Sequence, residues 1–205
     1  MKFGMVLASA SMLAAGFSMA SPATKADPAK GQQTVQQVCV ACHGADGNSP
    51  TPANPSLAGQ HPEYIAKQLT EFKKGVRVNA VMQGMAAPLT DADILNVAAF
   101  LGTQKAKVRD GSKPALQSLG KKIYMAGNPA TGVPACAACH GPKGSGLPAQ
   151  FPRLAGQYAE YVQAQMLAFR KEERSNDPNA MMRQIAAKMS DKEIEAVSHY
   201  VVGLR

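Results

Sequence analysis

Apolar residues recur with helical spacing in both halves of the chain. Each half has a triplet at i, i+4 and i+7: Ile65, Leu69 and Phe72, then Val162, Met166 and Phe169. Positions with this spacing fall on one face of an α-helix. The pattern therefore predicts one amphipathic helix in each half, with its apolar face turned toward a core.

A second helix is predicted at the end of each half. Ser190 and Glu193 form an S-x-x-E capping box, which is typical of a helix N-terminus. Apolar residues follow on one face at Ile194, Val197 and Val201, and in the first half at Ile94, Val97 and Leu101 after Thr90, Asp91 and Asp93. Short helices are also expected before Cys39 and Cys136. No stretch has a convincing strand pattern, so the sequence predicts an all-α fold.

The two halves are one unit repeated in tandem. Residues 55–60, Pro-Ser-Leu-Ala-Gly-Gln, return 97 positions later as Pro-Arg-Leu-Ala-Gly-Gln. The same offset relates Tyr64, Gln68, Phe72, Arg77 and Asn79 to identical residues. After a three-residue insertion the offset becomes 100, and Met82, Ala86, Ala87, Asp91, Ile94 and Val97 recur. Matches this regular indicate a duplicated domain.

The domain boundaries follow from this repeat. We expect a signal peptide at 1–20, a first domain at 21–105, an exposed linker at 106–118 and a second domain at 119–205. The linker is rich in charged and turn-forming residues and has little apolar periodicity. Domains of this size have small cores, so a bound group would supply much of the buried apolar surface.

The N-terminal segment has the features of a secretory signal. Met1-Lys2 precedes an apolar run that ends in the small-x-small sequence Ser18-Met19-Ala20. Serine and glycine residues dilute this run below what a membrane-spanning helix requires. We therefore expect cleavage ahead of Ser21 and export of the mature protein.

The strongest chemical signal is a C-x-x-C-H motif that occurs once in each half. It reads Cys39-Val40-Ala41-Cys42-His43 and then Cys136-Ala137-Ala138-Cys139-His140, and it uses all 4 cysteines of the chain. Two thiols at this spacing can bond covalently to one haem, and the adjacent histidine can ligate its iron. Two covalently bound haem c groups are therefore predicted.

Other uses of paired cysteines fit less well. A redox dithiol would follow a strand, and no strand-like run precedes either motif. A zinc site would leave the adjacent histidine unexplained in both halves. A disulfide between cysteines so close together would be strained.

The repeat also selects the second axial ligand of each iron. Among the methionines beyond the signal peptide, only Met82 and Met182 occupy equivalent positions. A methionine is otherwise a flexible core residue. His61 and His199 have no histidine at the matching position, so we expect surface or capping roles for them. Histidine with methionine raises the potential and closes the iron to ligands, which suits electron transfer.

Charge adds little. The formal net charge is +8, but no basic run exceeds two residues. Export argues against nucleic acid as a partner, and the acidic groups of two haems would offset much of the charge.

The combined motifs resemble the class I cytochrome c fold, in which a small helical domain wraps around a covalently bound haem. Two such domains after a signal peptide, with Gly-Asn-Ser-Pro after the first haem motif and Leu-Ala-Gly-Gln in both halves, resemble the dihaem cytochrome c4 family. The resemblance covers residues from about Ala29 to Arg205. It implies that His43 and Met82 ligate the first iron, and that His140 and Met182 ligate the second.

The resemblance implies further details. The carbonyl groups of Pro55 and Pro152 would accept the Nδ1 protons of the ligating histidines and fix the rings. The two haems would lie close to the domain interface. One departure is that the first domain is often acidic in the family, whereas here it is mildly basic, so the partner is not implied.

The functional hypothesis is a soluble periplasmic electron carrier, not an enzyme. Its redox partners would be a quinol-oxidising complex or a dehydrogenase as donor and a terminal oxidase as acceptor. We expect a monomer, and peripheral association with a membrane stays open. The alternative is the dihaem subunit of a flavocytochrome c type dehydrogenase. A dihaem peroxidase would need an open iron and a longer chain.

Overall fold

The computed structural model describes Met1 and residues 25–110 and 113–205. The predicted signal peptide lies outside the described residues except for Met1. The helices of the first half are α1 (Pro28–Thr34), α2 (Val40–His43), α3 (Pro62–Lys73), α4 (Ala80–Ala86) and α5 (Asp91–Thr103), with a π-helical turn at Val35–Cys39. Those of the second half are α6 (Pro114–Ala126), α7 (Ala137–His140), α8 (Ala159–Arg170), α9 (Met181–Ala187) and α10 (Asp191–Val202), with a 3₁₀ turn at Pro178–Ala180.

The all-α prediction is confirmed for the described residues. They contain no strand, and their β-type pairing is limited to two isolated bridges, Asn128 with Val133 and Leu147 with Phe151. Backbone polar groups are otherwise paired mainly within helices and turns, as buried segments require. In the described part, no helix is long and apolar enough to cross a membrane.

The two amphipathic helices predicted from apolar triplets are α3 and α8. Helix α3 buries Ile65 and Phe72, and α8 buries Val162, Met166 and Phe169. These faces pack against the closing helices α5 and α10. One buried cluster forms in each half, around Leu101 in the first and around Ile194 in the second, and burying each such side chain stabilises the fold by about 2 kcal/mol.

Both closing helices begin with a complete capping box. Thr90 accepts from the backbone N–H of Asp93, and the Asp93 carboxylate accepts from the backbone N–H of Thr90. Ser190 and Glu193 exchange the same two bonds. These bonds satisfy donors that a helix N-terminus otherwise leaves unpaired.

The first and last helices of each half cross at a glycine. A Cβ at Gly31 would overlap the backbone oxygen of Asn96, and one at Gly120 would overlap that of Ala196. The backbones of α1 and α5, and of α6 and α10, therefore touch at these points. Only glycine leaves room for an approach this close.

The connection between the halves is shorter than the sequence suggests. Helix α6 begins at Pro114, so residues 114–118 of the predicted linker are helical. Proline is favoured in the first turn of a helix, where its missing N–H is not needed. The linker residue Arg109 touches both halves: its guanidinium donates to Gly156 O at 2.5 Å and to Ser49 O at 3.4 Å, and it stacks on Tyr158.

The 3₁₀ turn lies at the three-residue insertion of the second half. In the first half, Asn79 caps α4 by accepting from the backbone N–H of Met82 at 2.9 Å. Asn176, its counterpart, instead donates across to Gln68 at 3.0 Å. Near the start of α9, Asp177 instead accepts a hydrogen bond from the backbone N–H of Arg183 at 3.0 Å.

Candidate functional site

The two motif histidines occupy equivalent places at the ends of α2 and α7. Each is buried, and its Nδ1 lies 2.9 Å from a proline carbonyl oxygen, Pro55 O for His43 and Pro152 O for His140. A carbonyl can only accept, so Nδ1 carries the proton and Nε2 keeps its lone pair for a metal. Burial lowers the pKa of both rings although the hydrogen bond opposes it, so both are neutral at pH 7.

The cysteines do not have the environment of a redox dithiol. Burial raises the pKa of the Cys39 and Cys136 thiols to about 11 each, whereas reactive dithiols have lowered values. Within the described residues, no three His, Cys, Asp or Glu side chains converge to hold a metal ion, so no preformed zinc site supports that alternative. Cys39, Cys136 and Cys139 line the cavity described next, and Cys42 is exposed.

One continuous cavity of about 910 Å³ extends through both halves and contacts both motif histidines. Its apolar lining comes from equivalent residues of the repeat: Leu57, Ile65, Leu69, Phe72, Val97 and Leu101, then Leu154, Val162, Met166, Phe169, Val197 and Val201. A volume of this size is at the upper end of the range for small-molecule sites. The same positions that form the amphipathic faces therefore form the cavity walls.

Met82 and Met182, the methionines selected by the repeat, both line this cavity. In the first half Met85 is exposed and lies outside the lining. In the second half Met166, Met181 and Met189 also line the cavity. Position in the cavity therefore agrees with the choice of Met182 but does not by itself select it. The axial-ligand assignment remains a prediction.

The polar part of the cavity fits a ligand with carboxylates. Arg153 lines the cavity, and its buried Nε has no hydrogen-bond partner in the described structure. An unpaired buried guanidinium nitrogen is unfavourable, and an acidic group would satisfy it. Haem carries two propionates. The donor set, the apolar walls and this nitrogen together fit haem.

A buried polar network joins the halves beside the cavity. The Arg77 guanidinium donates to Tyr161 Oη at 3.1 Å and to Gln165 Oε1 at 2.7 Å. Arg174, its counterpart, donates to Tyr64 Oη at 2.9 Å and to Gln68 Oε1 at 3.3 Å. Because equivalent residues swap roles, the interface between the halves is close to two-fold symmetric at these contacts.

Two glutamines make a second reciprocal exchange. Gln157 Oε1 accepts from Ser56 N at 2.9 Å, and its Nε2 donates to Ser56 O at 2.9 Å. Gln60 forms the same pair of bonds with Arg153, at 2.8 and 3.0 Å. Both glutamines are buried. Each therefore binds the backbone residue that follows the histidine-binding proline of the other half.

Sequence reasoning did not assign roles to these interface residues. Arg77, Arg174 and the two glutamines were visible only as matches within the repeat. The available signal was the recurrence of large polar residues at one fixed offset, next to apolar positions. Arg153 gave no such signal, because its counterpart is Ser56.

Known proteins share this architecture. The cytochrome c family profile matches residues 28–105 and 117–205, one segment in each half. The chain is 51% identical to cytochrome c4 of Thiocapsa roseopersicina over 87% of this chain and 93% of that protein. The crystal structure of reduced cytochrome c4 from Pseudomonas stutzeri superposes with a TM-score of 0.85 at 43% identity, covering 88% of this chain and 100% of that one. The thiosulfate dehydrogenase electron acceptor of Stutzerimonas stutzeri is 42% identical over 83% of this chain and 80% of that protein.

Proposed function

The chain belongs to the cytochrome c4 family, and on that premise we propose that it carries electrons in the periplasm from a quinol-oxidising complex or a dehydrogenase to a terminal oxidase. As a family member it is an electron carrier rather than an enzyme, and it binds two covalently attached haem c groups. The predicted signal peptide supports the periplasmic location.

His43 and Met82 would ligate the first iron, and His140 and Met182 the second. Cys39 and Cys42 would bond to the first haem. Cys136 and Cys139 would bond to the second. The haem supplies reversible one-electron oxidation and reduction of its iron. The neutral imidazoles and the repeated methionine positions in the cavity support this assignment.

The protein's own residues position and shield the cofactor. The hydrogen bonds to Pro55 and Pro152 fix the ring orientation and raise the basicity of each imidazole. The apolar walls would enclose the haem faces and keep water from them, which limits the reorganisation that accompanies a change of charge. Arg153 would pair with a haem carboxylate in the second half.

The observation that carries the proposal is the continuous cavity with one buried motif histidine from each half. A shared cavity would bring both redox centres into one water-poor region, which suits transfer between them. Because the lining is equivalent in the two halves, both centres would do the same chemistry.

A potentiometric optical titration with a haem count tests the proposal. We expect two haems per chain, both low-spin, and weak far-red absorption from thioether ligation in the oxidised state. A single haem, or a reduced untreated protein that binds carbon monoxide at one iron, would contradict it.

A second candidate is a dihaem subunit that works in complex with a dehydrogenase, such as that of a flavocytochrome c. The likeness to a thiosulfate dehydrogenase electron acceptor favours a dehydrogenase as donor. Affinity purification from the native periplasm separates the two: a stoichiometric flavoprotein partner would support the subunit, and isolation of the cytochrome alone would support the mobile carrier.

A further inference from the structure

The hydrogen bonds between the halves connect each one to the iron ligand of the other. We propose that Gln157 tunes the ligand His43 and that Gln60 tunes the ligand His140, each through one peptide group. This inference rests on the proposed ligation of iron by the two histidines. The inference adds to that ligation a second claim: the redox potential of each haem depends partly on a residue of the opposite half.

The first connection runs through the peptide between Pro55 and Ser56. The carbonyl of this peptide accepts the Nδ1 proton of His43 at 2.9 Å. The N–H of the same peptide donates to Gln157 Oε1 at 2.9 Å. The return bond from Gln157 Nε2 to Ser56 O fixes which end of the amide is the oxygen.

The second connection is the counterpart of the first. The peptide between Pro152 and Arg153 accepts the Nδ1 proton of His140 at 2.9 Å and donates its N–H to Gln60 Oε1 at 2.8 Å. Gln60 and Gln157 are each less than a tenth exposed, at 7% and 8%. Water therefore competes poorly for these bonds.

Peptide resonance couples the two ends of each connection. Donation by the N–H shifts electron density toward the carbonyl oxygen, since the C–N bond has partial double-bond character. Hydrogen bonds in such chains strengthen one another. A stronger acceptor at Nδ1 makes the imidazole a better electron donor to iron. That donation favours the oxidised iron, so each glutamine lowers the potential of the opposite haem.

The substitutions Gln157→Leu and Gln60→Leu in the haem-loaded full chain test this crosswise effect. We expect Gln157→Leu to raise the potential of the haem bound by His43, and Gln60→Leu that of the haem bound by His140. A change of about threefold in the one-electron equilibrium constant is expected from hydrogen-bond cooperativity, which corresponds to about 30 mV. The first haem is identified by its altered spectrum in a Met82→His background.

Two further measurements separate tuning from a loosened interface. Amide hydrogen exchange at Ser56 should become faster in Gln157→Leu, and the Nδ1 proton resonance of His43 should shift. Gln165→Leu is the matched control, because it removes a glutamine from the interface without touching either proline peptide. It should give no shift confined to one haem.

The outcomes are distinct. A shift in the haem of the substituted half, equal shifts in both haems, or faster exchange at Ser56 with unchanged potentials would overturn the inference. Spectra without histidine ligation would instead overturn the proposed function.

Discussion

At the scale of single residues, the duplication provides an internal comparison for each candidate ligand. Met82 and Met85 are three residues apart on the short helix α4, yet only Met82 lines the cavity. Met85 is 44% exposed, and its counterpart is Ile185. A methionine required for iron ligation should be present in both copies and should reach the cavity, and only Met82 in this pair meets both conditions.

Replacing Met82 with histidine should lower the potential of one haem and leave the other nearly unchanged. Bis-histidine ligation lacks the thioether that raises the potential. Axial ligands set potentials over about 0.8 V, so a drop on the order of 100 mV is expected. Potentiometric titration at two wavelengths measures it.

Met85→His is the control for this substitution. Its exposed side chain should leave both potentials and the far-red absorption intact. Equal drops in both haems of Met82→His would mean that the assignment of one methionine to each half is wrong.

The residues of the CxxCH motifs and the two methionines could be selected from sequence because chemistry and repetition both restrict them. Arg153 could not, since a single arginine after a proline is usually a surface residue. Its burial depends on how the second half folds around the cavity. Likewise, Gln60 and Gln157 are recognisable as equivalents in sequence, but their contacts are made with residues about a hundred positions away.

At the scale of helices, two close crossings set the geometry of each half. Gly31→Ala should destabilise the first half by about 1–3 kcal/mol, because the added methyl group overlaps the backbone of α5. Denaturant unfolding monitored by helical circular dichroism measures this change.

Gly84→Ala is the matched control within the same half. Gly84 is helical, and nothing lies within 4 Å of the position its Cβ would take. Alanine should therefore raise stability by about 0.5–1 kcal/mol through its higher helix propensity. A loss of stability at Gly84 similar to that at Gly31 would contradict the steric explanation.

The capping box of α10 should make stability depend on pH. Hydrogen bonds from the Ser190 backbone and from the Asn128 side chain lower the pKa of Glu193 below its usual 4.5. The ionised Glu193 carboxylate therefore contributes to the stability of the folded state above about pH 4.5. This contribution is lost as the pH falls through the lowered pKa of the folded state. We expect Glu193→Gln to cost about 1 kcal/mol at pH 7.

The unfolding free energies of the unsubstituted protein and of Glu193→Gln should converge as the pH falls below about 4.5. Asp93→Asn offers a comparison in the first half, where no side chain of the described residues plays the part that Asn128 plays for Glu193. Asp93→Asn should therefore lower the unfolding free energy by less than Glu193→Gln does. A Glu193→Gln difference that stays constant down to pH 3 would rule out the charge as the cause.

Helix positions were predictable because apolar spacing and capping residues act locally. The start of α6 was not, since it follows a charged segment directly and its N-cap residue Lys113 makes no side-chain capping bond. The π-helical turn before Cys39 has no distinguishing pattern in the sequence. Such details depend on how the chain packs around the cavity.

At the scale of the whole molecule, the two halves are joined by buried polar contacts rather than by apolar packing alone. Arg174 is 9% exposed and donates to four side chains at the interface, those of Tyr64, Gln68, Gln165 and Asn176. Hydrogen bonds of a buried charge are strong, and their loss would deprive Tyr64 Oη and Asn176 Oδ1 of their donor. The duplication was readable from sequence, but which faces meet was not, because either copy alone presents the same residues.

Arg174→Met should lower the unfolding free energy by about 3 kcal/mol. It should also separate the calorimetric transitions of the two halves, because a buried part of the contacts that couple their unfolding is lost. Lys171→Met is the control: Lys171 is exposed, and its contact with Glu173 spans 4.0 Å. A single shifted transition in Arg174→Met would mean that the halves remain coupled through other contacts.

The reciprocal bonds of Gln60 and Gln157 have a consequence for a separated half. Each half presents to the other the same hydrogen-bond donors and acceptors that the other presents to it. The interface between the halves is therefore isologous, and two identical halves could form the same interface. An isolated second half, if loaded with haem, should therefore form a C2 homodimer in which Gln157 of each subunit binds the backbone of its mate at Arg153. The covalent connection between the halves would then act chiefly by keeping the two partners at high effective concentration.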